Sequence, residues 1–339
     1  MRAVGYRKSL PITQDEALVD LDLPQPEPGP RDLLVKVEAI SVNPVDTKVR
    51  RRAEPEAGDT KVLGWDAAGT VVATGAEVTE FAVGDAVFYA GDLGRPGTNA
   101  QFHCVDARIV GRKPESLDWA QAAALPLTAI TAWETLFDRL DTGRPVPGAA
   151  PALLIVGGAG GVGSIAIQLA RQLTDLTVIA TASRPETAQW CRDLGAHHVV
   201  DHGKPLAAEV AALGIGAPGL VFSTTNTDLH LAEIAGLIAP QGRFALIDDP
   251  ESLDISVLKR KSLSLHWEFM FTRSMFATAD IAEQGRLLNE VARLVDEGRL
   301  RTTLGENYGR IDAENLRRAH ALIESGRAKG KIVLEGFAD

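Results

Sequence analysis

The sequence predicts an α/β protein in which a doubly wound parallel sheet accompanies a second, β-rich part. Residues 126–266 alternate short apolar runs with segments of helical period, which is typical of a doubly wound sheet. Residues 1–125 hold short strand-like runs between glycines and prolines, and residues 267–339 hold two helices and a last strand. At 339 residues the chain is long enough for two domains. We therefore expect residues 126–266 to form one domain inserted between the two parts of another.

The strands expected in residues 1–125 are short and contain β-branched side chains. Residues 33–40 alternate partly between apolar and polar side chains, and residues 69–73 and 86–89 lie between glycines. Four prolines within residues 24–30 predict an extended connection, because proline cannot continue a helix.

Strands and helices alternate along the central part of the chain. Strands are predicted at residues 153–156, 177–180, 198–200, 220–222 and 244–247, and helices at residues 163–173, 186–194, 206–213 and 229–238. Amphipathic helices near residues 279–297 and 313–325 then precede a strand at residues 331–334. A ligand of the parallel sheet is expected at the carboxyl ends of its strands.

The charge and the cysteine content argue against several classes of function. With 35 basic and 45 acidic side chains the net charge is −10, so no nucleic-acid partner is expected, because such partners need basic surface. The two cysteines, Cys104 and Cys191, form no CxxC pair, which argues against a disulfide framework and a cysteine-bound zinc. Nothing resembles a signal peptide, and no apolar run reaches the roughly 20 residues that span a bilayer. We expect a cytoplasmic protein with no membrane partner.

A glycine cluster between a predicted strand and a predicted helix indicates a dinucleotide cofactor. Gly158, Gly160 and Gly163 match G-x-G-x-x-G, and Gly161 and Val162 lie in the same turn. The first glycine permits the tight turn, the middle pair lets a pyrophosphate approach the backbone, and the last lets the helix pack closely on the strand. The alternative is a glycine-rich turn without a ligand.

The residues after the second central strand predict which dinucleotide binds. An NAD enzyme usually has Asp or Glu there for the ribose hydroxyls, whereas this chain has Ser183 and Arg184. A hydroxyl and a guanidinium can bind a 2′-phosphate, so we predict NADPH rather than NADH. The alternative is that Arg184 is a solvated residue at the start of a helix.

These motifs, together with residues 64–69 and 127–133, resemble the medium-chain dehydrogenase/reductase superfamily. Within it the chain looks like the quinone oxidoreductase branch, and residues 41–48 and 264–274 are similar to the subfamily of zinc-type alcohol dehydrogenase-like proteins. The resemblance covers essentially the whole chain. It implies a GroES-like catalytic domain around a Rossmann domain, with a homodimer as the expected assembly.

The resemblance also locates the positions at which zinc-dependent members hold catalytic zinc. They fall at Asn43, Trp65 and Leu127, and none of these side chains is a good zinc ligand. Asp66 lies beside the second position, but a single carboxylate does not make a site. The four-cysteine structural lobe of the family is also missing, since the chain has two cysteines. We predict no catalytic zinc.

The chemistry expected of such a site is a reduction. Without zinc, nothing obvious lowers the pKa of an alcohol, whereas a conjugated carbonyl is already electrophilic and needs only hydrogen-bond donors at its oxygen. We predict an enzyme that uses NADPH to reduce a quinone or an α,β-unsaturated carbonyl, a small-molecule substrate. The alternatives are a zinc-type alcohol dehydrogenase and a non-catalytic NADPH-binding protein.

Four residues are candidates for catalytic roles: Asn43, Asp46, Lys48 and Trp65. The resemblance places the first two on a loop that faces the nicotinamide, where Asn43 either donates to the substrate oxygen or serves as a turn residue, and Asp46 positions the loop or the ribose. Lys48, where many relatives have Tyr, either polarises a carbonyl or is a solvated charge. The three arginines at 50–52 are expected to be solvated loop charges. Trp65 offers an aromatic wall with an N–H donor, or else simple core filling.

Five further residues are candidates for cofactor contact: Thr128, His202, Thr224, Phe269 and Lys331. The resemblance places Thr128 near the nicotinamide, His202 near the adenosine phosphate and Lys331 at a C-terminal cofactor contact. For His202 a solvated loop position is the alternative. Thr224 follows the fourth central strand and should line the cofactor cleft. Phe269 belongs to an aromatic and apolar group at residues 267–271, which is either a pocket wall for a flat substrate or an interface core.

Overall fold

The chain divides into two units in the computed structural model, which describes residues 1–337. One unit comprises Met1–Ile130 and the chain from Phe271 onward, and we call it the split unit. The other comprises Thr131–Met270, and we call it the inserted unit. The inserted unit begins and ends a few residues later than the predicted range of 126–266.

The first segment of the split unit is rich in strands, and more of them form than the sequence predicts. Its strands are β1 (Arg2–Tyr6), β2 (Val19–Asp22), β3 (Asp32–Val42), β4 (Lys61–Val62), β5 (Ala67–Thr74), β6 (Ala86–Tyr89), β7 (Phe102–Asp106) and β8 (Val110–Arg112), and its helices are α1 (Pro44–Arg52) and α2 (Trp119–Ala123). The predicted runs at 33–40, 69–73 and 86–89 correspond to β3, β5 and β6. The proline-rich connection at 24–30 lies outside helices and strands.

The next helix, α3, leads into the inserted unit, where strands and helices alternate as the sequence predicts. The elements are α3 (Pro126–Trp133), a π-helical turn (Glu134–Arg139), β9 (Ala150–Val156), α4 (Gly161–Leu173), β10 (Thr177–Thr181), α5 (Pro185–Asp193), β11 (His198–Val200), α6 (Leu206–Ala211), β12 (Pro218–Ser223), α7 (Thr227–Leu237), β13 (Arg243–Leu246) and β14 (Ser264–Trp267). The strands form one parallel sheet in the order β11-β10-β9-β12-β13-β14. The topological switch point of this doubly wound sheet lies between β9 and β12, at the carboxyl ends of these strands.

Strands β9 and β12 form the centre of this sheet. Leu154, Val156 and Val221 belong to its buried core. The sequences of such strands are nearly continuous apolar runs, because helices cover both faces of a parallel sheet. Each of these side chains contributes about 1.5–3 kcal/mol of hydrophobic stabilisation when fully buried.

The last segment of the chain completes the sheet of the split unit. Its elements are α8 (Thr272–Met275), α9 (Glu283–Asp296), β15 (Leu304–Asn307), α10 (Ala313–Glu324) and β16 (Lys331–Glu335). Strand β16 pairs antiparallel with β3, with Ile332 opposite Val42, so the beginning of β16 lies beside the end of β3. The sheet order is β15-β16-β3-β5-β6-β8, and β7 also pairs with β3. The predicted fold class, a GroES-like part with a doubly wound Rossmann part, is confirmed.

The segment after β3 is a helix rather than the expected loop. Pro44 occupies the first turn of α1, where its missing N–H costs nothing, and the Asp46 carboxylate accepts the Asn43 N–H at 2.7 Å. The expectation that residues 50–52 are all solvated is wrong for Arg50, which is fully buried. Its guanidinium donates to Leu10 O and to the carboxylate of Glu324 on α10. Packing of α1 against α10 therefore buries one arginine of the three.

None of the helices in residues 1–337 has the length and apolar character that crossing a bilayer requires.

Candidate active site

The glycine turn of the inserted unit has the geometry of a phosphate-binding loop. A Cβ on Gly163 would lie 2.3 Å from Gly157 O, so only glycine lets α4 pack this closely on the preceding turn. A Cβ on Gly160 would meet a single atom, Gly157 O, at 3.5 Å, so this residue leaves open space above the loop. Gly160 precedes the first turn of α4, which has no side-chain cap. Gly161 and Val162 therefore begin a helix whose first amides are oriented to bind an anion.

Two threonines and a histidine hold this turn at the carboxyl ends of β10, β11 and β12. Thr181 Oγ1 accepts the Gly157 N–H at 3.0 Å and lies 3.0 Å from His202 Nδ1. Burial lowers the pKa of His202, so its ring is neutral near pH 7. The Thr224 hydroxyl donates to Val156 O at 2.8 Å and thereby fixes the end of β9.

Ser183 and Arg184 lie directly after β10, between that strand and α5. Ser183 is exposed, and the Arg184 side chain is 38% exposed. Arg184 Nε lies 2.8 Å from the Glu186 carboxylate, a group that the sequence prediction did not take into account. Such an exposed pair is worth about 0–1 kcal/mol, so a phosphate dianion would compete well for the guanidinium.

The aromatic and apolar group at residues 267–271 does not form one continuous wall. Trp267 and Phe269 in the inserted unit are 56% and 46% exposed. Met270 is buried in that unit, and Phe271, already in the split unit, is buried against Trp65 with the ring centroids 6.2 Å apart, edge to face. The first two side chains are therefore largely exposed, whereas Phe271 is part of a core.

A buried polar cluster lies in the split unit, where β3 ends and β5 and β16 begin. Asp66 Oδ2 accepts from Ser41 Oγ at 2.7 Å, from Asn43 Nδ2 at 2.7 Å and from Lys331 Nζ at 3.0 Å. Asp66 Oδ1 accepts the Leu127 N–H at 2.7 Å. The side chains of Lys331 and Asp66 are 3% and 0% exposed. Both oxygens of this carboxylate therefore accept hydrogen bonds from within the split unit.

Asp46, next to this cluster on α1, is a fully buried carboxyl group. Burial, the largest effect, raises the pKa of Asp46 to about 7, although the Asn43 N–H and the Lys331 ammonium oppose the rise. The negative charge of Asp66 adds to the rise. A carboxyl group with this pKa is partly protonated at neutral pH, so it can hold and release a proton inside the split unit.

Several side chains that were predicted to contact substrate or cofactor make hydrogen bonds within the protein. The Asn43 amide donates to Asp66, and the Trp65 indole N–H donates to Asp92 O at 3.0 Å, so both predicted donors are engaged within the protein. Trp65 is 1% exposed, as its core-filling alternative requires. The Thr128 hydroxyl donates to Leu125 O at 3.1 Å. Lys48 lies on α1 and is half-buried.

Lys331 departs from its predicted role as a cofactor contact. Its ammonium is buried and donates to Val42 O at 3.2 Å, to Asn43 Oδ1 and to Asp66. Sequence reasoning missed Ser41 and the importance of Asp66. The available signal for Asp66 was a lone acid in an otherwise apolar and glycine-rich stretch.

A second buried ionic group, also missed, lies in the inserted unit. Glu134 begins the π-helical turn, Glu268 follows β14, and both are buried. Arg139 Nε lies 2.8 Å from Glu268 Oε2. Burial first, and then the nearby Glu134 carboxylate, raise the pKa of Glu268 well above the ordinary range of a glutamate.

The donor set of the split unit does not fit a zinc ion. Zinc prefers thiolate, imidazole or carboxylate ligands, whereas the resemblance puts an amide, an indole and an aliphatic side chain at Asn43, Trp65 and Leu127. The carboxylate beside the second of these positions, Asp66, is bound to the Lys331 ammonium. Within residues 1–337 no group of three or more His, Cys, Asp or Glu side chains is arranged to hold a metal ion.

Comparison with known proteins assigns family relationships to both parts of the chain. Residues 29–115 match the model of the alcohol dehydrogenase GroES-like domain, and residues 194–334 match that of the zinc-binding dehydrogenases. A zinc-type alcohol dehydrogenase-like protein of Staphylococcus aureus is 39% identical over 98% of this chain and 99% of its own length. A quinone oxidoreductase of Pseudomonas aeruginosa is 29% identical over 94% of this chain and 95% of its own length.

Two solved structures extend these relationships. The crystal structure of a candidate zinc-dependent alcohol dehydrogenase of Rhizobium etli has a TM-score of 0.98 and 68% identity, and covers 100% of this chain and 99% of that one. A mycobacterial protein complexed with NADPH has a TM-score of 0.81 and 27% identity, and covers 99% of this chain and 100% of that one.

Proposed function

Because the chain belongs to the medium-chain dehydrogenase/reductase superfamily and its zinc-type alcohol dehydrogenase-like subfamily, and is therefore an oxidoreductase, we propose that it reduces a quinone or an α,β-unsaturated carbonyl with NADPH, without zinc. The observation that carries the proposal is the identity of Asn43, Trp65 and Leu127, none of which can act as a zinc ligand. A quinone oxidoreductase among the relatives and an NADPH complex among the similar structures support the same reaction class.

The inserted unit supplies the proposed cofactor site. The backbone amides at Gly161 and Val162 bind the pyrophosphate, Ser183 and Arg184 bind the 2′-phosphate, and His202 contacts the adenosine end. When bound, NADPH supplies the hydride. Neutral His202 adds a hydrogen bond without adding a charge.

The split unit supplies the proposed substrate groups. A conjugated carbonyl accepts hydride at carbon while negative charge develops on its oxygen, and a cation or donor near that oxygen lowers the barrier. We assign this role to Lys48 of α1, a half-buried lysine. Asp46, with a pKa of about 7, is the group that can store the proton that the reduced product needs.

The proposal is tested by mixing the dialysed protein with NADPH and a panel of quinones and enones, while following the NADPH absorbance. We expect turnover with at least one acceptor, no oxidation of ethanol with NAD, far less than one zinc per chain by elemental analysis, and no loss of activity with a chelator. One zinc per chain together with chelator-sensitive alcohol oxidation would identify a zinc alcohol dehydrogenase instead. Tight NADPH binding without turnover on any acceptor would identify a non-catalytic binding protein.

We also propose a homodimer and a cytoplasmic location. The exposed Trp267 and Phe269 lie on and just after β14, the last strand at one edge of the parallel sheet, and support association through that edge. The two cysteines are free thiols, which suits a reducing compartment.

A further inference from the structure

We propose that the Lys331 ammonium is a built-in cation that takes the place of the metal ion in the split unit and positions the catalytic elements around it. The name of the family implies zinc, yet the donor set does not fit zinc and the cluster contains a positive charge of its own. The effect proposed for catalysis rests on the proposed reductase function, whereas the cation site itself does not.

The first argument is the chemistry of the groups around Nζ. Val42 O at 3.2 Å, Asp66 Oδ2 at 3.0 Å and Asn43 Oδ1 are all oxygen atoms, and an ammonium has three N–H groups to donate to them. Lys331 and Asp66 are both almost completely buried, so water does not replace either partner. The three oxygens therefore form a cation site that one covalently attached ammonium fills.

The second argument is what the Lys331–Asp66 pair connects. Asp66 binds the Asn43 side chain and the Leu127 backbone, and Trp65 is its neighbour in the chain. The pair thus joins two of the three positions that the resemblance assigns to zinc ligands, Asn43 and Leu127, and Asp66 directly follows the third, Trp65, in the chain. Removing the ammonium would leave a buried carboxylate without its counter-charge, which is strongly unfavourable.

The third argument is how Lys331 reaches this place. The pairing of β16 with β3 sets Ile332 opposite Val42, so the side chain of the preceding residue is delivered to the end of β3. The ammonium acts on the reaction through Asn43, whose N–H binds Asp46 at 2.7 Å. Lys331 is therefore a positioning residue, and α1, which carries Asp46 and Lys48, is the element that it positions.

Chemical rescue tests this inference on the full chain. Lys331→Ala should lower Tm by roughly 10 °C, as expected for an unpaired buried carboxylate, and should reduce NADPH-dependent turnover at least tenfold. Methylammonium, added during refolding and assay, should restore at least half of both losses because it fits the vacated space. Tetramethylammonium at the same ionic strength should restore neither, because it has no N–H and is too large.

Two matched variants control for non-specific effects. Lys331→Met fills the space with an apolar chain, so methylammonium should not rescue it. Lys113→Ala removes an ammonium that donates to two backbone carbonyls and to no carboxylate, so it should show no amine-specific rescue. Equal rescue by tetramethylammonium, rescue of Lys331→Met, or a Lys331→Ala variant as stable as the parent would each overturn the inference.

A double variant keeps the test decisive if Lys331→Ala and Lys331→Met fold poorly. Lys331→Met combined with Asp66→Asn removes both charges, and it should have a higher Tm than Lys331→Met alone. A double variant no more stable than the single one would overturn the inference. If no acceptor is ever reduced, the proposed function fails, while the Tm measurements still decide whether the cation site exists.

Discussion

At the scale of single residues, the proposed preference for NADPH depends on Arg184. Its guanidinium lies beside an exposed carboxylate, Glu186, which binds it weakly. A charge-assisted bond to a 2′-phosphate is worth roughly 1.5–3 kcal/mol, so Arg184→Ala should reduce the ratio of kcat/KM for NADPH to that for NADH by about 10–100-fold. Kinetics with both cofactors measure this ratio. Arg192→Ala, which removes an exposed arginine of the following helix α5, should leave it unchanged, and an NADH preference in the parent protein would refute the assignment.

His320 is a buried residue whose removal should stabilise the protein. Neither of its ring nitrogens makes a hydrogen bond to any residue among 1–337, and burial, followed by the nearby Arg50 charge, lowers the pKa of His320 to about 3. An unpartnered buried polar group costs roughly 1–3 kcal/mol, so His320→Leu should raise the stability at pH 7 by an amount of that order.

The acid sensitivity of the same variant provides a second readout. Because the pKa of His320 is lower in the folded state than in the unfolded state, the unfolded state binds the proton first as the pH falls. The folded protein therefore loses stability as the pH falls from about 6.5 toward 3. His320→Leu should therefore lose less stability between pH 7 and pH 4.5 than the parent in urea unfolding. Burial lowers the pKa of His103 to about 4, so His103 contributes to the loss of stability with falling pH in both proteins. A destabilised variant with an unchanged slope would contradict this account.

At the scale of elements, the periodicity of apolar residues predicts those helices and strands whose pattern is set by the local sequence. Helices α4 and α9 and strands β9 and β12 were predicted because one face or both faces of each are buried, which imposes a regular apolar pattern. Strand β14 was missed because Ser264–Trp267 has only four residues and no turn signals flank it. Helix α1 was missed because its burial depends on α10, more than 250 residues away, and Arg50 looks like a surface residue until that packing is known.

The acidic pair of Glu134 and Glu268 makes the inserted unit sensitive to alkaline pH. Because the folded pKa of Glu268 lies above the unfolded value of about 4.5, the folded state binds more protons, and stability falls as the pH rises from there through neutrality. Glu268→Gln keeps a neutral side chain at every pH and should flatten this fall. Tm of the variant relative to the parent should therefore increase from pH 5.5 to pH 9.

A control separates this effect from general changes in charge. Glu290→Gln removes a carboxylate of α9 that is partly exposed and paired with Arg293, and it should not change the alkaline slope. Parallel Tm curves for Glu268→Gln and the parent across this pH range would contradict the account of the acidic pair.

At the scale of the whole molecule, the sequence predicts a domain inserted between two parts of another, but not the contacts that join those parts. Lys331 and Asp66 are 265 positions apart, and only the pairing of β16 with β3 brings them together. Each residue by itself looks ordinary: a lysine at the start of a strand and an acid beside a former ligand position. The glycine turn was predicted because all of its parts lie within a few residues, whereas the ionic cluster depends on long-range pairing that no local pattern records.

The proposed homodimer is the assembly that the edge of the parallel sheet favours. Leu246 O of β13 accepts the Glu268 N–H, and Gly242 O accepts the Ser264 N–H, so the intervening outward N–H groups at Leu265 and Trp267 face away from β13. An edge strand with outward N–H groups and an exposed indole is a ready site for pairing with a second copy.

Light scattering should give twice the chain mass of 36.1 kDa for the parent. Trp267→Lys should shift it to the monomer mass, because each copy would bury an ammonium without a counter-charge at the contact, whereas Leu229→Lys, which charges a 73% exposed apolar residue of α7, should leave the dimer intact. A monomeric parent, or an unchanged mass for Trp267→Lys, would exclude association through this edge.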